Sequence, residues 1–171
     1  QYLAVLAPDT LLLQFSKSMA DTTLLNVTHY QLEPFSISSL VVNQPYATAV
    51  SLILDDSLAA NEKALLHISN LKCVDNLLLD SLSLRVSLPQ QVMAGDVVIN
   101  EILFNPKADG VDYIEILNIS DKVLDLSSLL VTKRKGDYFD VPVSITTRQA
   151  LCFPGDYWVL TSDQAVVCAQ F

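Results

Sequence analysis

Through the first half of the chain, apolar side chains recur at every second position in short bursts, or fill a burst outright, and each burst gives way to turn residues. Residues 3–6, 10–15, 29–32, 37–42, 49–54, 64–69 and 81–87 follow this rhythm and predict seven strands. Residues 21–25, Asp-Thr-Thr-Leu-Leu, fit a single helical turn with Asp21 as its N-cap. The second half opens on DVVINEILFNPKADGVDYIEILNISDKVLDL, residues 96–126. Two strands, VVINEILF and DYIEILN, flank a turn carrying Asn105, Pro106, Asp109 and Gly110, and a third begins near Val123. No long stretch keeps the 3.6-residue rhythm of an amphipathic helix.

Composition sharpens this into a fold class. A chain of 171 residues that is 51% hydrophobic and 17% charged can bury a full core, as one large domain or two small ones. The strand spacing favours two: an all-β chain of two tandem immunoglobulin-like β-sandwiches. Their expected limits are residues 1–89 and 96–171, joined by the short passage 90–95, Gln-Gln-Val-Met-Ala-Gly.

Charge then excludes partners. The net charge of −9 divides into −4 over residues 1–89 and −5 over 90–171. Neither half offers the Lys/Arg surface on which non-specific nucleic-acid binding rests, nor one that would hold anionic lipid. Lys133-Arg134-Lys135 stands alone as a basic cluster, ahead of Gly136 in a hairpin turn, where a solvated loop accounts for it. The apolar runs fall short of the roughly 18 residues that a membrane span needs, so no membrane insertion is expected. The chain opens at Gln1 rather than Met, which leaves the question of a leader open.

Several side chains invite chemistry. Glu101 and Glu115, on neighbouring strands, have the form of a general acid and base. Strict alternation, however, turns Glu101 inward with Ile99 and Leu103 and Glu115 the other way, so a structural role is expected, with Asn100, Glu101 and Asn118 bonded to backbone groups at strand ends and turns. Asn105, Asp109 and Asp112 offer the hard oxygens that calcium prefers, yet their spacing is not that of a calcium loop. Asp109-Gly110 reads equally as a turn, and no other cofactor is indicated. Phe153, Tyr157 and Trp158 form a candidate aromatic binding patch for a sugar or a base, although alternation turns one of the last two inward. Cys152 and Cys168 fall where a disulfide is within reach. All three cysteines read equally as small buried hydrophobes. His29 and His67 lack a second ligand at metal spacing. Asn26-Val27-Thr28 and Asn118-Ile119-Ser120 spell glycosylation triplets.

Two resemblances add to this reading. TLLLQFSKSM at 10–19, SLILDDSLAANEKALLHISNLKCVDN at 51–76 and SLSLRVSLP at 81–89 resemble bacterial Ig-like domains of the S-layer-protein type. Ile99-Asn100-Glu101, Asp112-Tyr113-x-Glu115-Ile116-x-Asn118, Asp125-Leu126-Ser127 and Phe153-Pro154-Gly155-Asp156-Tyr157 resemble the lamin-tail domain, itself an immunoglobulin-like sandwich. Such tails usually continue through further strands, so the resemblance implies a second domain cut short at Phe171. It also implies a secreted or cell-surface bacterial protein in which the chain is a non-catalytic module for adhesion, scaffolding or domain presentation. An alternative is a module that binds a glycan or protein ligand beside an extracellular hydrolase such as a nuclease or phosphoesterase. An open sheet edge near Phe171 would invite self-association.

Overall fold

The computed structural model describes residues 1–42, 47–107 and 110–170. Antiparallel strands dominate, as the two-residue rhythm predicts, and the protein is an all-β sandwich fold. The chain divides into two compact units, Gln1–Pro89 and Gln90–Phe171.

The first unit contains β1 (Tyr2–Ala7), β2 (Thr10–Gln14), the one-turn helix α1 (Asp21–Leu24), β3 (Tyr30–Glu33), β4 (Ile37–Val42), β5 (Ala49–Leu54), β6 (Ala64–Ile68) and β7 (Leu82–Val86). One sheet runs β1-β2-β5-β4 and the other β3-β6-β7. Register explains the core. Leu11 lies opposite Leu52 and Leu13 opposite Val50, all four fully buried, because cross-strand partners share a sheet face. Leu32 and Leu66 are likewise paired and buried in the second sheet. Beside them Tyr30 is buried, its hydroxyl donates to the Leu24 carbonyl at 2.8 Å, and burial pushes its ionisation well above the ordinary tyrosine range. Helix α1 departs from expectation in one detail. Ala20, not Asp21, is the N-cap, and no side chain caps it; the Thr23 hydroxyl donates back to the Ala20 carbonyl instead.

The second unit contains β8 (Val97–Leu103), β9 (Tyr113–Asn118), β10 (Leu124–Asp125), β11 (Leu130–Val131), β12 (Arg134–Lys135), β13 (Tyr138–Phe139), β14 (Val143–Ser144), β15 (Leu151–Cys152), β16 (Tyr157–Thr161) and the helix α2 (Gln164–Gln170). Its main sheet is β16-β9-β8. The pairs β10-β15, β11-β14 and β12-β13 are separate two-stranded ladders. Ile116, Leu124, Leu126 and Cys152 centre the core, and Val92, Val97, Ile114, Trp158 and Leu160 pack against them.

Residues 90–95 are built into this unit. The Gln90 amide donates to the Val123 carbonyl at 2.8 Å, Val92 packs on the core, and the Met93 amide donates to the Asp96 carboxylate at 2.8 Å. Gly95 makes the intervening turn at φ 93°, which an L side chain adopts only under strain. Helix α2 follows the last strand, and Asp163 caps it by accepting from the Val166 amide at 3.1 Å.

Candidate functional site

The sheet β16-β9-β8 carries Glu101, Glu115, Tyr157 and Trp158 among the side chains that invited a chemical reading. Its inner face follows from the register: Ile99, Ile116 and Trp158 form one row, Ile102, Ile114 and Leu160 the next. In β8 that face is kept by residues 97, 99 and 102, because a bulge lies between Ile99 and Glu101. A bulge inserts one residue that has no partner opposite and so flips everything beyond it to the other side. This overturns the expectation that Glu101 shares the inward side with Ile99 while Glu115 faces away. The two acids are direct cross-strand partners, and both lie on the outer face.

Like charges placed opposite one another destabilise a sheet, and each carboxylate here has its own donor. The Tyr113 hydroxyl donates to Glu101 at 2.5 Å, and the Asn100 side-chain amide donates to Glu115 at 2.7 Å. The Glu101 bond holds the Tyr113 phenol above its usual range, with burial adding to the effect. These contacts run between side chains, not to backbone groups as expected for Asn100 and Glu101. The pair sits on the outer surface of a sheet, Glu101 exposed and Glu115 half-buried.

Asn118 does meet the expectation of a backbone-bonding role, and more completely than its place in a strand would suggest. It is 1% exposed. Its amide nitrogen donates to the Lys122 carbonyl at 2.8 Å and to the Cys152 carbonyl at 2.9 Å. Its amide oxygen accepts from the Ser120 amide at 3.0 Å and the Ser120 hydroxyl at 2.7 Å. In the triplet Asn118-Ile119-Ser120 the asparagine side chain is thus buried and committed to the turn, while Ile119 is exposed. In Asn26-Val27-Thr28 the asparagine oxygen likewise accepts from the Thr28 amide and hydroxyl.

The other marker residues serve the same end. Asp125 accepts from the Ser127 and Ala150 amides at 2.9 and 3.1 Å. Asp156 accepts from the Phe153 amide at 3.0 Å, across a turn that Gly155 makes at φ 80°. Asp96 is nearly buried and pairs with the Lys122 ammonium at 2.9 Å. Its hydrogen bonds from Lys122 and then from the Met93 amide hold its carboxyl below the usual range.

The remaining candidates separate. Phe153 is buried, Trp158 turns to the core, and Tyr157 stands exposed on the outer face beside Val159, so the three do not form one patch. Asn105 and Asp112 are exposed, while Asp109, the centre of the calcium reading, lies outside the described residues. Among the described residues, no disulfide joins Cys152 to Cys168 or involves Cys73. Cys152 is buried in β15, whereas Cys168 is exposed in α2. Sequence reasoning missed an apolar groove of about 200 Å³ whose lining includes Val97, Ile99, Ile114, Leu130, Ile145 and Leu160. Of its lining residues, Ile99 is 58% exposed.

Among the described residues, no helix is long and apolar enough to cross a membrane. No protein-family profile matches the chain, and no curated protein does either. Among solved structures, the chain is similar to the N-terminal part of the bacterial S-layer protein SbsC, at 12% identity and a TM-score of 0.48 over 91% of this chain and 43% of that one. It is similar also to domains 1–6 of surface layer protein SbsC, at 11% identity and a TM-score of 0.48 over 97% of this chain and 24% of that one. The chain therefore spans less than half the length of either structure.

Proposed function

We propose that this chain is a non-catalytic structural module of a secreted or cell-surface protein, an Ig-like sandwich followed by a lamin-tail-like one, which works through surface contacts. The observation that carries the reading is the use made of the marker residues. Asn100, Glu101, Glu115, Asn118, Asp125 and Asp156 each hold a turn or a neighbouring side chain, so the residues that define the motif are those that shape the sandwich. Large apolar side chains, Ile99, Ile102, Phe104 and Leu130 among them, are left to solvent, and exposed apolar surface of this kind marks contact sites. The test is turnover. The purified chain is expected to leave chromogenic phosphodiesters, phosphomonoesters and glycosides unhydrolysed. Hydrolysis that the double substitution Glu101→Gln with Glu115→Gln abolishes would overturn the reading.

A second reading, a ligand-binding module beside an extracellular hydrolase, draws on Tyr157 and Val159, exposed together on the outer face. An aromatic ring presented this way suits the apolar face of a sugar. Calorimetric titration with cell-wall oligosaccharides separates the two readings. Binding that Tyr157→Ala removes supports the module, and heat that Tyr157→Ala leaves unchanged counts against it.

A further inference from the structure

Two features of the second unit match each other in a way that the functional proposal does not use. The first is an edge. Strand β8 is the last in its sheet, and an edge strand presents a row of backbone groups ready to pair with another strand. On its groove side lie Ile99 and Ile102, both mostly exposed, with Phe104 81% exposed just beyond the strand. On its outer side lies Glu101 opposite Glu115. The described residues place no cation in an ion pair with either acid.

The second feature is an arm. From Leu130 to Ser144 the chain runs out and back as a two-stranded ribbon, with β11 on β14 and β12 on β13. Its residues are exposed almost throughout. Tyr138, Phe139, Val141 and Val143 stand 61–85% exposed, and the arm carries Lys133, Arg134 and Lys135, three of the ten basic residues in a chain of net charge −9. Lys135 is paired with Asp140 at 2.9 Å, while Arg134 donates to the Gly136 carbonyl at 2.9 Å. Each ladder of the ribbon is two-stranded, so the arm also offers open strand edges.

We infer that the arm of one copy pairs along β8 of a second copy. Backbone pairing extends the three-stranded sheet, the arm's aromatic and aliphatic side chains cover Ile99, Ile102 and Phe104, and its cations meet the Glu101–Glu115 pair. A strand presents alternate side chains to opposite faces. Lys133 and Lys135 therefore lie on one face with Arg134 on the other, so an added arm brings a cation to the acidic side whichever way it turns. Charge of opposite sign selects this partner, because like-charge juxtaposition elsewhere on so acidic a surface opposes contact. Two arms that reciprocate give a closed pair, and arms that do not give an open chain.

The inference rests on the surface-contact reading above, but its failure is separately visible, since it is tested by mass and not by turnover. In sedimentation velocity of the full chain, the weight-average coefficient is expected to rise with concentration up to about 100 μM, a range matched to micromolar association. Lys133→Glu with Arg134→Glu, both on the exposed arm, should weaken association about tenfold or more. Glu101→Lys with Glu115→Lys should do the same, and mixing the two charge-reversed proteins should restore it. Unchanged Trp158 fluorescence establishes that each variant is folded, and the arm variant alone suffices if the sheet variant is not. A wild-type chain that stays monomeric would overturn the inference. So would association indifferent to the arm reversal, or a mixture of two folded variants that fails to associate.

Discussion

Asn118→Ala is the substitution that most directly tests whether the marker residues are structural. Alanine removes two donors and one acceptor from a position that is 1% exposed. Ser120 and Lys122 are only half-buried and recover part of their loss by bonding water, so each of those bonds is worth about 1 kcal/mol. The Cys152 carbonyl lies in a buried contact, and leaving such a group unpaired costs about 1–3 kcal/mol. The expected loss is therefore about 4–6 kcal/mol, a large share of the roughly 5–15 kcal/mol that holds a domain together. The assay is built into the chain. Trp158 is its single tryptophan and packs on the core of the second unit, so urea unfolding followed by its fluorescence reports that unit specifically. Asn118→Asp sharpens the test. A carboxylate has nothing to donate to the Lys122 and Cys152 carbonyls, so it should be at least as damaging as alanine at neutral pH. A loss below about 1 kcal/mol for Asn118→Ala would refute the reasoning, since that is the worth of one ordinary hydrogen bond.

Three further outcomes follow from the same contacts. Because Asp96 has a lowered folded pKa, its contribution is fully present above the unfolded aspartate value of about 3.9 and is lost as pH falls through the lower folded one. The urea midpoint reported by Trp158 should thus decline below about pH 4, and Asp96→Asn should lower the neutral-pH midpoint while flattening that decline. The raised phenol of Tyr113 puts its linkage at the other end: stability holds below the unfolded tyrosine value of about 10 and falls as pH rises beyond it. Glu101→Gln keeps an acceptor for the hydroxyl but removes the charge, and should lower the tyrosine titration seen in the ultraviolet and soften the alkaline loss. A thiol reagent should label one cysteine rapidly in the native chain, Cys168, and Cys73 and Cys152 only on unfolding, because both are buried; fewer than three thiols in the denatured, unreduced chain would mean a disulfide after all.

The seven strands of the first unit were legible because their partners bury one face and leave the other wet, so the two-residue rhythm survives in the sequence. Leu11, Leu13, Val50 and Leu52 announce themselves in this way. The bulge in β8 was not read, although a signal for it existed: the apolar positions Val97, Ile99 and Ile102 are spaced by two and then by three, a break that one unpaired residue produces. Taking the alternation as unbroken placed Glu101 on the wrong face. The β11-β14 and β12-β13 ladders of the arm were invisible for a different reason. They bury little on either face, so no rhythm marks them, and only Gly136 with its basic neighbours hinted at a turn. Helix α2 is too short for its period to stand out. For Asn118 the residue type and the Asn-x-Ser spelling were visible, but its burial was not, since that depends on the Cys152 carbonyl, distant in sequence, arriving beside it.

The latch that Gln90, Val92 and Met93 form with Val123, the core and Asp96 decides where this chain can be dissected. A fragment beginning at Asp96, as composition alone would advise, would start with a bared hydrophobic seam and a carboxylate stripped of its amide donor. Cutting ahead of Gln90 keeps the seam closed, and recombinant pieces started six residues apart should differ sharply in yield and melting temperature for that reason alone.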